Sequence, residues 1–99
     1  DDAAGVAVSM QVPFILNQLK IKPKRTIRVI AYMNEENGLV GGTKYAEEES
    51  ANIAKHFAAI ESDLGASRPL GFLFAGKREA LPYFAPISNM LRKQGAAMV

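Results

Sequence analysis

Five carboxylates stand at places in the sequence where side chains can do chemistry. Asp1 and Asp2 open an apolar run, Glu35 and Glu36 come two residues after the run "RTIRVIAY", and Asp63 directly follows "HFAAIES". Adjacent residues leaving an extended run point in different directions, so Glu35 and Glu36 can serve different roles. One can touch a metal while its neighbour reaches water on that metal. Hard oxygen donors converging at loop ends suit a divalent cation, and carboxylates also serve zinc when histidine completes the sphere. A pair of metals bridged by one carboxylate needs further terminal ligands and a free glutamate beside it as base. Each acid also has a plainer reading: Asp1 and Asp2 as helix caps, Glu35 and Glu36 as a solvated turn, Asp63 as a loop cap. With no cysteine and one histidine, His56, any metal site must be built from carboxylates, imidazole and water.

The elements that must position these groups follow from apolar spacing. Residues 3–19 carry Val6, Val8, Met10, Val12, Phe14, Ile15 and Leu19, dense enough for a helix buried on much of its circumference. Asp1 or Asp2 is its expected N-cap, and Pro13 is expected to kink it rather than break it. Thr26–Met33, with Ile27, Val29, Ile30 and Ala31, reads as a strand covered on both faces. "NGLVGG" turns the chain into a helix from Gly41 to Ser50 or beyond, with Lys44, Glu47, Glu48 and Glu49 outward. "HFAAIES" reads as a second strand with His56 opening it, and residues 65–76 are ambiguous between loop and short strand. A helix is expected within residues 78–94, with Pro86 delaying its start and Gly95 stopping it, and "AAMV" begins a further strand. Alternation of this kind predicts an α/β three-layer αβα sandwich around a mostly parallel sheet, as a single domain over residues 1–99. Ligands of such sheets bind beyond the carboxyl ends of the strands, where Glu35, Glu36 and Asp63 fall.

Bulk composition narrows the partners. An apolar share of 48% and a charged share of 22% over 99 residues fit one soluble globular unit with a modest core. No apolar run approaches the roughly 20 residues that span a bilayer, so no membrane partner is expected. Net charge is +2, with Lys20, Lys22, Lys24, Arg25 and Arg28 crowding one connection. That stretch has no interleaved aromatics, which argues against nucleic acid. The start, Asp1-Asp2-Ala3-Ala4-Gly5, reads like the interior of a longer protein, and the expectation is a fragment.

The series D-D-x-x-G, K-R-T-I-R, N-E-E-x-G-L, G-G and E-S-D, in this order from Asp1 to about Gly76, resembles the M28 metallopeptidases, the di-zinc aminopeptidase group. "ESDLGASRPLGFLFAG" is most similar to the plasma glutamate carboxypeptidase-like branch. The resemblance implies a zinc-peptidase fold. It implies that Asp1 is the bridging zinc ligand, that Glu36 and Asp63 each bind one of two zinc ions, and that Glu35 is the general base. The implied reaction is exopeptidase hydrolysis, of amino- or dipeptidase type, by a metal-activated water that Glu35 deprotonates. The sequence departs from the family at several points. The family's two histidine ligands, one in an upstream H-x-D segment and one far downstream, have no counterpart here, and His56 is read as structural. Carboxylate-only sites favour Mg²⁺ or Ca²⁺ over zinc, so the chain alone is expected to be inactive and to bind zinc weakly. Pro13 falls where the family continues a regular helix, and Val40 stands where "GLRGG" carries Arg.

Two other readings compete. The chain can be a non-catalytic α/β interaction or assembly module that retains the scaffold. In either reading a truncated sheet leaves sheet edges and apolar faces uncovered, so a homo-oligomer is expected. "NGLVGGT" as a phosphate loop is the weaker one, because it matches neither G-x-G-x-x-G nor a G-K-[ST] loop.

Overall fold

The computed structural model describes residues 2–63, 65–68 and 70–98. The chain forms two compact units, Asp1–Ala66 and Ser67–Val99.

In the first unit, helix α1 spans Asp2–Gln18 and carries Pro13 without interruption. Its end is a Schellman motif. The Ile21 N–H donates to the Leu16 carbonyl at 2.9 Å and the Lys20 N–H to that of Asn17 at 3.0 Å, with Lys20 left-handed at φ 55°. A lysine here bears the steric cost that glycine avoids. Helix α2 spans Val40–Glu48 and is followed by a 3₁₀ helix at Ser50–Lys55. Asp1, one of the two expected N-caps of α1, lies outside the described residues; Asp2 is the first helical residue.

The second unit is built on α3, Leu81–Lys93, preceded by a 3₁₀ turn at Arg78–Ala80. Pro82 sits in its first turn, where its missing N–H would have had no helical partner. Pro86 lies inside the helix and does not delay its start. Gly95 terminates α3 as expected, at φ 74°. The Ala96 N–H returns to the Leu91 carbonyl and the Gly95 N–H to that of Arg92, a second Schellman motif. Arg68 adds two donations from its guanidinium, to the carbonyls of Gln94 and Gly95, neutralising the negative end of the helix. Phe74 and Phe84 pack at 5.1 Å between ring centres.

The three-layer αβα sandwich with a mostly parallel sheet is not formed. Among the described residues the only ladder is a two-residue parallel pairing, β1 (Gly71–Phe72) with β2 (Ala97–Met98). Residues 26–33 and 56–63 are extended or irregular, without ladder partners. The physical reason is that a strand exists through a neighbour's hydrogen bonds, whereas its apolar pattern needs no neighbour to be legible. Burial follows the same logic: Ile27 is 44% exposed and Val29 37%, where cover on both faces was expected. Gly5 and Ala96 are the only buried residues among those described. No helix is long and apolar enough to cross a membrane among the described residues.

Candidate functional site

The N-E-E turn is built from backbone bonds. The first N–H groups of a helix lack internal acceptors and need carbonyls, side chains or water. At α2 the preceding backbone supplies them. The Leu39 N–H donates to the Glu35 carbonyl at 2.8 Å, Val40 to Asn34 at 3.3 Å, and Gly41 to Met33 at 2.9 Å. No side chain caps this helix. Reversing the chain so tightly requires left-handed backbone at Asn34 (φ 59°), Gly38 (φ 105°) and Leu39 (φ 57°). Asn tolerates this conformation, and the Asn37 amide donates to the Asn34 side-chain oxygen. Gly41 is obligatory for a different reason. A β-carbon there would lie 2.6 Å from both the N and the O of Met33. The Val40 side chain takes no part in these bonds, so the absence of Arg at that position leaves the turn's backbone intact.

A second close approach joins two other motifs. Gly5, the glycine of D-D-x-x-G, lies against the backbone of Ser62 in E-S-D, and a β-carbon would collide with the Ser62 carbonyl oxygen. The start of α1 and the Asp63 segment are therefore neighbours in space. Sequence reading singled out neither glycine, although both stand at set places within the motifs, and that placement was the available signal.

The candidate residues themselves are reached as follows. Asp1 lies outside the described residues. Glu35 and Glu36 sit in the α2 turn with exposed side chains, and Asp63 is exposed in a tight turn closed by the Gly65 N–H at 2.7 Å from its carbonyl. Among the described residues no three His, Asp or Glu side chains are grouped so as to hold a metal ion.

His56 is engaged away from these acids. Its Nε2 is 2.8 Å from the Tyr45 hydroxyl and its Nδ1 3.1 Å from the Asn52 carbonyl. Arg28 donates from one nitrogen to both the Tyr45 oxygen and Glu49 Oε1, each at 2.8 Å. That ion pair holds the Glu49 carboxyl below the usual range, chiefly through the hydrogen bond, and raises Arg28. Tyr32 meets Tyr45 edge-on at 6.0 Å, and the Arg25 guanidinium lies 4.5 Å over the Phe57 ring. Sequence analysis missed this cluster, because its members lie up to 32 positions apart and form no linear motif.

Comparison with known proteins gives the motif series its context. The description "Peptidase family M28" matches residues 1–98. Carboxypeptidase Q of Xenopus laevis is 35% identical over 92 residues, covering 93% of this chain and 20% of that protein. Carboxypeptidase Q of Mus musculus is 33% identical over the same shares, and that of Pongo abelii is 29% identical across 100% of this chain and 21% of its own. The chain thus spans about a fifth of the length of these relatives. No solved structure matches it significantly. A family match over almost every residue, with the motif glycines at close backbone contacts, identifies this chain as a member of peptidase family M28.

Proposed function

We propose that residues 1–99 are one piece of the catalytic domain of a zinc-dependent exopeptidase of amino- or dipeptidase type, acting on peptides. In this reading Glu35 is the general base, and Asp1, Glu36 and Asp63 are zinc ligands, Asp1 bridging. The observation that carries the reading is the contact of Gly5 with Ser62, which makes the D-D-x-x-G and E-S-D motifs neighbours in a chain of family M28.

The described residues do not by themselves fit a zinc pair. They offer oxygen donors only, because His56 is committed to Tyr45 and Asn52, and no three candidate side chains are grouped. What this chain contributes to the chemistry is a carboxylate. Glu35 takes a proton from the water that adds to the peptide carbonyl and delivers it to the departing amine, a role worth about 10²–10⁴ in rate.

In the chain expressed with whatever flanking sequence its gene encodes, Glu35→Gln is expected to lower kcat by about 10²–10⁴ with little change in substrate binding. An unchanged kcat would remove Glu35 from the role. The 99 residues alone are expected to hydrolyse no aminoacyl or dipeptide substrate and to give no tight zinc isotherm by calorimetry. A sub-micromolar two-site isotherm would overturn this second expectation.

A second reading, an interaction or assembly module, is favoured by the exposed apolar surface. Phe57 and Ile60 are each 78% exposed, and Pro13, Leu16, Ile21 and Ile27 line an open groove of about 540 Å³. Apolar surface of this kind drives association, and we infer a homo-oligomer of the 99-residue chain. Sedimentation velocity at increasing concentration tests this, and a monomer at every concentration would refute it.

A further inference from the structure

The cluster around Tyr45 has a direction that its chemistry dictates. The Asn52 carbonyl can only accept, so Nδ1 of His56 must carry a hydrogen. In the neutral ring Nε2 is then an acceptor, and the Tyr45 hydroxyl must donate to it. The Tyr45 oxygen is left free to accept from the Arg28 guanidinium, which only donates. The chain of donation runs Arg28 to Tyr45 to His56 to the Asn52 carbonyl, and the direction of each link is set by the one that follows it. Arg28 belongs to the run that leads into the N-E-E turn, whereas Tyr45 is on α2 and His56 follows the 3₁₀ helix. Arg25 over Phe57 is a second tie between the same two stretches.

We propose that Arg28, Tyr45, His56 and Glu49 form a proton-sensitive clasp, which holds the 25–33 run on the α2 and 3₁₀ segment while His56 is neutral and loosens when His56 is protonated. Histidine is the side chain that changes charge between about pH 5 and 8. Once protonated, Nε2 also donates, and the Tyr45 oxygen then stands between two cations with its own hydrogen displaced. The charged and titratable groups facing His56 are Tyr45 on α2, Glu49 at the end of α2, and Arg28 through Tyr45. Lys55, its chain neighbour, is turned to the Asn52 side chain. Glu49 is the sole anion in the set and is shared with Arg28, so an imidazolium competes with the guanidinium for it. The Arg28 bond keeps Glu49 ionised throughout the window, so Glu49 does not itself switch there.

The clasp is independent of the peptidase reading, because its test uses no activity. His56 is the only histidine, so its ring nitrogens give unambiguous NMR signals in the 99-residue chain. At pH 8 the long-range ¹⁵N–¹H pattern is expected to show the Nδ1–H tautomer, with Nε2 unprotonated. Dipolar contacts between the Arg28 side chain and the Tyr45 ring are expected at pH 8 and to fall at least twofold by pH 5. In His56→Gln those contacts are expected to lose their pH dependence. An Nε2–H tautomer at pH 8, or Arg28–Tyr45 contacts unchanged from pH 8 to pH 5, would overturn the proposal. If His56→Gln does not fold, the tautomer and the pH series on the unaltered chain decide alone.

Discussion

At the scale of single residues, two glycines do more to shape the site than the acids they accompany. Gly41 allows the Met33 backbone to approach α2, and Gly5 allows the Ser62 backbone to approach α1. Adding one methyl at either place forces backbone apart, since neither neighbour is a flexible side-chain tip. Gly41→Ala is expected to cost about 1–3 kcal/mol, in the range of other overpacking changes. Amide exchange should report it directly, with the residue 41 N–H losing protection as its bond to Met33 breaks. Gly42, one position on, has open space around its Cα, so Gly42→Ala is expected to preserve the turn and serves as the control. Glu49 supplies a residue-scale pH prediction. Its carboxyl is held low by Arg28, so its share of stability is fully present above the ordinary glutamate range. That share is lost only as pH falls below this range, through the depressed folded value. Glu49→Gln should therefore flatten the acid limb of a pH–stability curve and leave the neutral region with a constant offset.

At the scale of elements, the helices end by the same device with different residues. α1 places Lys20 and α3 places Gly95 at the left-handed position of a Schellman motif. Relative to glycine, a side chain at such φ values costs about 1–2 kcal/mol. Lys20→Gly is thus expected to raise helical content at 222 nm, and Gly95→Ala to lower it. The latter loss should be the larger, because the Arg68 guanidinium also occupies the space beside Gly95. Much of this was legible in the sequence. The presence of α1 and α3 and the stop at Gly95 follow from apolar spacing and one glycine; the start of α3 does not, since Pro86 lies inside it. α2 was also legible, although it ends at Glu48, short of the expected Ser50, and the chain continues as a 3₁₀ helix. The Lys20 cap was not legible, since lysine carries no signal for left-handed backbone. The expected strands at 26–33 and 56–62 failed for a different reason: their residues have the right pattern, but pairing is a property of two segments together.

At the scale of the whole molecule, the chain has very little interior. A core residue normally contacts many others and is shielded on all sides; here Gly5 and Ala96 alone are buried among the described residues. The chain is therefore expected to bind the hydrophobic dye ANS through its exposed apolar side chains. Absence of dye binding would contradict that expectation. What the sequence by itself determined is the family and the helices, because motifs and amphipathic spacing are local properties. Tertiary structure alone decided which motifs touch. It set Gly5 against Ser62, tied Arg28 and His56 together through Tyr45, and left the apolar runs without a sheet. Contacts of this kind join residues 11 to 57 positions apart, and no local pattern encodes whether such a partner is present.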